Sequence, residues 1–181
     1  MGQGLPVTSY ALLGLLTFGD ELTGYELKQH ADATLRFYWV SPAMSQVYTE
    51  LARLTERGLV ARSGDERTTR YGITTAGSQA LRDWMTGTPA GFPVLKHPVA
   101  LRLLLGHLVD PETTIAMLRE HLDALEVERA ALLDVRTSLK GSDEPGESFR
   151  YPSLVADWGL DYFAHEHRII SDLLRRLEDQ A

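Results

Sequence analysis

Apolar residues in the N-terminal half of the chain recur at helical spacing, then alternate, then turn helical again. From Thr8, the residues Ala11, Leu12, Leu15 and Leu16 predict a short buried helix, with Thr8 or Ser9 as its cap and Gly19-Asp20 as its end. Thr23 is placed to cap a second helix from Tyr25 to about Thr34, whose apolar face would be Tyr25, Leu27 and Ala31. The aromatic run Leu35 to Val40 is either a strand or a packed connection. Ser41-Pro42 reads as an N-cap followed by proline at the first helical position, and Met44, Val47, Leu51 and Leu54 then predict a third helix that Gly58 ends. Residues 59–63 and 69–74 each alternate apolar and polar around the charged turn Gly64 to Thr68, which is a hairpin pattern. Thr75 can cap a fourth helix carrying Ala76, Ala80, Leu81 and Trp84.

The segment Gly87 to Pro93, GTPAGFP, has the composition of a linker, so a boundary is expected there, with one domain over 1–88 and a second over 89–181. The second is helical in pattern: about Pro98 to Leu108, Pro111 to about Leu139, and about Ser153 to Glu178, the last two joined by the loop Gly141 to Ser148. Two helices of such length form an antiparallel hairpin with more apolar surface than they can bury alone. Leu118, Leu122, Leu125, Leu132, Leu173 and Leu177 therefore predict a homodimer through the C-terminal helices. The expected fold class is mostly α, an N-terminal winged helix-turn-helix with a two-stranded wing followed by a C-terminal helical hairpin dimerisation domain.

Composition narrows the chemistry. The chain has 181 residues, 44% hydrophobic, and no cysteine, which excludes disulfides, thiolate metal sites and a cysteine nucleophile. The apolar run Ala11 to Leu16 is too short for a membrane span and no Lys or Arg precedes it, so a soluble, cytoplasmic protein without membrane contact is expected. The net charge of −7 is unevenly spread: residues 1–95 carry 8 basic and 9 acidic side chains, and residues 96–181 carry 10 and 16. Within Ser41 to Arg82, six Arg face four acidic residues, so a polyanion would meet that stretch.

Helix, helix, helix, hairpin is the order of a winged helix-turn-helix, whose third helix enters a major groove. With Met44, Val47, Leu51 and Leu54 turned to the core, the outer face of that helix holds Ser45, Gln46, Thr49, Arg53 and Arg57. Short hydrogen-bonding side chains suit base edges and guanidinium groups suit phosphates. The hairpin adds Arg62, Arg67, Thr68 and Arg70. The same residues would also serve as an ordinary solvated helix face and charged turn.

Three runs carry a family resemblance: Leu12 to Gln29, Val47 to Ser63 and Arg70 to Leu81. Their Gly24-Tyr25 pair, their Tyr48, Leu51, Leu54, Gly58 spacing and their Tyr71, Ile73, Thr74, Gly77 spacing resemble the winged-helix domain of PadR-type transcriptional regulators. The C-terminal half is similar in pattern to the larger subfamily, whose helical C-terminal domain dimerises. Because one short recognition helix covers little DNA, the chain is expected to bind a double-stranded DNA operator as a homodimer on an inverted repeat, repressing transcription by occluding a promoter. The resemblance implies a DNA contact through the Tyr48 hydroxyl. Two positions depart from the family: Thr49 stands where proline often follows the tyrosine, and Gly72 where a basic wing residue is common. The acidic net charge favours the rival reading, a winged-helix interaction adaptor that does not bind DNA.

Other chemistries find little support. His165 and His167 are two residues apart, on different helix faces, and the chain has no HExxH zinc pattern, so no metal ligand and no cofactor is assigned. Asp157, Asp161 and Glu166 lack an accompanying GxSxG or phosphate loop and read as a solvated face, so no catalytic residue is named and the chain is not expected to be an enzyme. Tyr38 and Trp39, with Trp158 and Tyr162, are either ordinary core and dimer packing or the lining of a cavity for a small planar aromatic effector, a ligand class that the family resemblance permits.

Overall fold

The structure, a computed structural model, describes residues 4–65, 69–93 and 96–179. It divides into two compact units, residues 1–91 and 92–181. No helix among the described residues is long and apolar enough to cross a membrane.

The first unit runs α1 (Val7–Leu15), β1 (Leu22–Thr23), α2 (Gly24–Thr34), a 3-10 turn (Leu35–Phe37), α3 (Met44–Glu56), β2 (Val60–Ser63), β3 (Arg70–Ile73) and α4 (Thr75–Gly87). Leu12, Leu13, Leu27, Val47, Leu51 and Leu54 are wholly inaccessible and form the centre where α1, α2 and α3 meet. Each such burial contributes about 1.5–3 kcal/mol. The wing is the β2–β3 hairpin, antiparallel with Val60 opposite Ile73 and Ser63 opposite Arg70. β1 pairs with the other edge of β3, Leu22 opposite Tyr71, so the sheet has three strands in the order β1-β3-β2 where the sequence pattern predicted two. A two-residue strand is too short to show alternation, so periodicity does not reveal it.

Several helix starts differ from the sequence expectation. α1 begins at Val7 after Pro6, and neither Thr8 nor Ser9 caps it; the Ser9 hydroxyl is buried and donates to Glu50. α3 begins at Met44, so Ser41 and Pro42 lie before the helix: Ser41 donates to Asp32 Oδ1 at 2.6 Å, and the Ala43 amide donates to Gln46 Oε1 at 2.9 Å. Thr74, not Thr75, caps α4, accepting the Gly77 amide at 3.0 Å while donating to the Gly58 carbonyl at 2.8 Å. Thr23 does cap α2, reciprocally with Glu26. Gly58 takes φ +68° and the Leu59 amide reaches back to the Leu54 carbonyl at 2.9 Å, a left-handed stop for α3. Tyr25 and Ala76, expected on apolar faces, are exposed, and the run Leu35 to Val40 is a 3-10 turn and connection with no strand.

The second unit contains α5 (Pro98–Leu104), a 3-10 turn (Gly106–Leu108), α6 (Pro111–Ser138) and α7 (Arg150–Glu178). Pro98 and Pro111 sit at helix starts behind the caps His97 and Asp110. α6 and α7 pack side by side over most of their length. The face that α7 buries is made of small and polar residues, Ser153, Ala156, Gly159 and Glu166, with Ile170 farther along. A Cβ on Gly159 would lie 2.7 Å from Leu132 Cδ2, so glycine lets the two helices approach. Arg136 ties the hairpin end together, donating to Asp157 at 2.8 Å and Asp143 at 2.9 Å.

Within one chain this packing already uses the leucines that the sequence offers for a dimer seam. Leu118, Leu125 and Leu132 are buried within one chain, and Leu122, Leu173 and Leu177 are half-buried around them. The large apolar side chains left outward on α7 are Tyr151, Leu154, Trp158, Tyr162 and Ile169. Leu154 and Trp158 face outward because α6 packs on the small-residue face of α7.

Candidate nucleic-acid interface

The outer face of α3 follows from the helical period once Val47, Leu51 and Leu54 are fixed in the core. Ser45, Gln46, Tyr48 and Thr49 are exposed in its first turns. Two of these side chains carry hydrogen-bond commitments that decide what they can offer outward. Gln46 Oε1 accepts the Ala43 amide, so its Nε2 is the group left to face a groove, a donor for acceptor atoms such as guanine O6 or a purine N7. The Thr49 hydroxyl donates to the Ser45 carbonyl at 2.9 Å, leaving lone pairs and a methyl outward. That combination suits a base-edge amine or the thymine methyl.

Arg53 is less available than the helix period suggests. Its Nη1 donates to both carboxylate oxygens of Glu50, at 2.5 and 2.7 Å, and Glu50 is buried at 8% exposure with the Ser9 hydroxyl as its other partner. The guanidinium thus neutralises a buried acid between α1 and α3 while remaining partly exposed. Sequence reasoning missed Glu50, since a lone acid on an amphipathic helix is usually solvated. Arg57 lies at the C-terminal cap of the helix and is exposed.

Tyr48 is half-exposed and its ring lies over Gly24: a Cβ there would sit 2.6 Å from Cε1 and 2.9 Å from Cζ of the ring. Gly24 therefore answers a close approach, not a positive φ. Around this contact a concavity of about 400 Å³ opens between α3, the start of α2 and the sheet, lined by Thr23, Gly24, Tyr25, Tyr48, Arg62, Thr69 and Tyr71. Tyr25, expected in the core, is part of that wall.

In the wing, Arg70 is held inward: Nε and Nη2 donate to the Glu21 carbonyl at 3.0 and 2.7 Å, and Nη2 lies 3.4 Å from Glu26 Oε2. It clamps β1 and the α2 cap. The Thr23 amide and hydroxyl, with a smaller contribution from Arg70, hold the Glu26 carboxyl below the usual carboxylate range. Arg67 and Thr68, assigned to DNA from the sequence, lie outside the described residues. Gly72 opposes Ala61 in the hairpin, close to the Glu21 side chain.

The four candidate effector residues fall in different units. Tyr38 and Trp39 follow the 3-10 turn of the first unit, and Trp158 and Tyr162 lie on the outward face of α7 in the second; all four are exposed. Burial raises the phenol pKa of Tyr38, and that of Tyr162 is raised by burial and the nearby Glu166 charge. Within the second unit the structure also joins three residues that linear spacing does not connect, His97, His121 and Glu166.

Comparison with known proteins accords with this geometry. Residues 12–83 match the transcriptional regulator PadR-like family, and residues 95–178 match the family described as virulence activator alpha C-term. No curated protein is matched by the sequence. Among solved structures, a PadR-like transcriptional regulator from Bacillus cereus is similar with TM-score 0.81 at 21% identity, covering 96% of this chain and 99% of that one. Bacillus subtilis PadR in complex with operator DNA is similar with TM-score 0.80 at 22% identity, covering 95% and 99%. The same protein in complex with p-coumaric acid gives TM-score 0.78 at 22% identity, covering 96% and 99%.

Proposed function

The chain belongs to the transcriptional regulator PadR-like family, and on that premise we propose that it is a DNA-binding repressor acting as a homodimer on an inverted repeat. The observation that carries this reading is the outer face of α3, where Ser45, the Nε2 of Gln46, Tyr48 and Thr49 stand exposed beside the wing. Ser45, Gln46 and Thr49 read base edges. Tyr48, Arg67 and Thr68 contact the backbone, and the concavity between Tyr48 and the wing receives a phosphate or sugar. Arg53 adds a guanidinium shared between Glu50 and a phosphate, and Arg70 acts mainly by fixing the wing. The protein makes this contact despite its acidic total because the field at the contacting face, not the sum, governs association.

One recognition helix covers too little DNA for tight specific binding, and a two-fold dimer doubles it over half-sites one turn apart. The unburied stripe Tyr151, Leu154, Trp158, Tyr162 and Ile169 supports α7 as the dimer surface. A planar aromatic effector is the finer part of the proposal: the B. subtilis relative is described with p-coumaric acid, and each unit by itself exposes rings of a kind that stack on such ligands, Tyr38 and Trp39 in the first and Trp158 and Tyr162 in the second. It would release DNA only by binding one conformation of the dimer better than the other.

Hydroxyl-radical footprinting on the DNA upstream of the protein's own coding sequence tests the reading. Two protected half-sites of opposite orientation, centred about 34–36 Å or a multiple of this apart, are expected. Protection without two-fold symmetry, or none, counts against it.

A further inference from the structure

We propose that His97, His121 and Glu166 form a binding site for a divalent transition-metal ion, with Zn²⁺ the best match. The three residues come from the cap of α5, from α6 and from α7, and each side chain is largely withdrawn from solvent. His97 Nε2 is 2.5 Å from Glu166 Oε1 and His121 Nε2 is 3.2 Å from the same oxygen, and the three ligand atoms lie within 4.8 Å of one another. The imidazole planes cross at 75° with centroids 5.5 Å apart, so the two nitrogens converge on the carboxylate without the rings stacking.

Two imidazoles and one carboxylate are the ligand set of an open zinc site, with a fourth position left for water or another donor. Tetrahedral bonds of about 2.0–2.2 Å put ligand atoms roughly 3.3–3.6 Å apart. His121 and Glu166, at 3.2 Å, are close to that separation, and His97 needs to withdraw by about an ångström. The harder cations Mg²⁺ and Ca²⁺ prefer more oxygen ligands than the cluster supplies. Glu166 sits on the face of α7 packed against α6, where an unpaired carboxylate would be costly, and the two histidines satisfy it when no ion is bound.

The backbone fixes the proton. The Ala100 amide donates to His97 Nδ1 at 3.2 Å, so in the metal-free chain the ring proton is on Nε2, donated to Glu166. An ion on Nε2 moves that proton to Nδ1, which can then no longer accept from Ala100. Metal binding therefore trades one cap hydrogen bond at the start of α5 for three coordinate bonds that pin α5 to α6 and α7. The Ala100 amide becomes a reporter of occupancy.

The test is calorimetric titration of the full, chelator-treated chain with Zn²⁺ alone, without an affinity tag. One ion per chain is expected. His121→Gln and Glu166→Gln should each weaken binding by at least the roughly 10–100-fold that loss of a supporting partner causes at known sites. His165→Gln, on the same helix but outside the cluster, should leave binding unchanged. The Ala100 amide resonance should shift on Zn²⁺ addition in the wild type and stay in place in His121→Gln. Circular dichroism of the metal-free variants checks that they fold, and if Glu166→Gln does not, His121→Gln carries the comparison. A wild type that takes up no ion, or binding that survives His121→Gln unchanged, overturns the assignment.

Discussion

Replacing Arg53 with alanine separates what this side chain does for the fold from what it does for DNA. Glu50 is buried, and its carboxylate is balanced by the Ser9 hydroxyl and by two contacts from Arg53 Nη1 at 2.5 and 2.7 Å. Stripping one partner from a fully buried ion pair costs about 3–5 kcal/mol. Arg53 is partly exposed, however, and water can reach the carboxylate once the side chain is gone. About 2 kcal/mol is therefore expected for Arg53→Ala, in the range measured for hydrogen bonds to charged groups. Glu50→Gln in the same chain removes the orphaned charge and should recover about half of that loss, a coupling that a double-mutant cycle measures. Chemical unfolding followed by Trp39 and Trp84 emission, in a Trp158→Phe background, reads the first unit alone. If Arg53 also holds a phosphate as proposed, the double variant should still bind DNA more weakly than wild type for every sequence, with a salt slope lower by about 1. An Arg53→Ala variant as stable as wild type, or a Glu50→Gln change that rescues nothing, would refute the buried-pair reasoning.

Gly24→Ala should cost less than about 1 kcal/mol of stability, because the Tyr48 ring it meets is half-exposed and can swing outward. The same swing should weaken operator binding about tenfold, the worth of one hydrogen bond, in a mobility-shift titration. Gly77→Ala is the opposite case: its Cβ would lie 2.1 Å from the Leu59 carbonyl oxygen, which is backbone and cannot step aside, so about 3 kcal/mol is expected by thermal unfolding. Asp110 caps α6, and the Thr113 amide and hydroxyl hold its carboxyl below the usual range. A folded-state pKa below the unfolded value near 3.9 means this contribution is present above about pH 4 and is lost as pH falls through the folded value. The stability gap between wild type and Asp110→Asn should thus close on acidification, and a gap constant from pH 6 to about pH 2 would contradict it.

Sequence periodicity revealed those parts of the fold in which one residue type dominates a face. Leu12, Leu15, Leu16, Leu27, Val47, Leu51 and Leu54 all lie in the core, and Gly58 and Thr23 end and begin helices as their chemistry requires. What periodicity could not show was set by contacts distant in sequence. Pro42 looks like a first helical residue, yet the chain starts α3 at Met44, using Gln46 to cap it. On α7 hydrophobicity alone does not mark the packed face, because Gly159, Ala156 and Ser153 allow the closer approach to α6 and take that place. The outer face of α3 was legible because Val47, Leu51 and Leu54 mark its core side. The commitments of Arg53 to Glu50 and of Arg70 to Glu21 were not, since both partners are reached only through the tertiary fold. The same holds for His97, His121 and Glu166, which three separate elements bring together.

Whether the α3 face reads DNA sequence is decided by equilibrium titration of a fluorescent duplex from the protein's own upstream region against a scrambled duplex of equal length and composition. Saturation is expected at two protomers per site, with affinity at least about 10³-fold tighter than for the scrambled duplex at physiological salt. In Gln46→Ala, preference should relax at one base position in each half-site. Equal affinity for the two duplexes, or no binding to either, would contradict sequence reading by α3 and leave the winged helix as an interaction module.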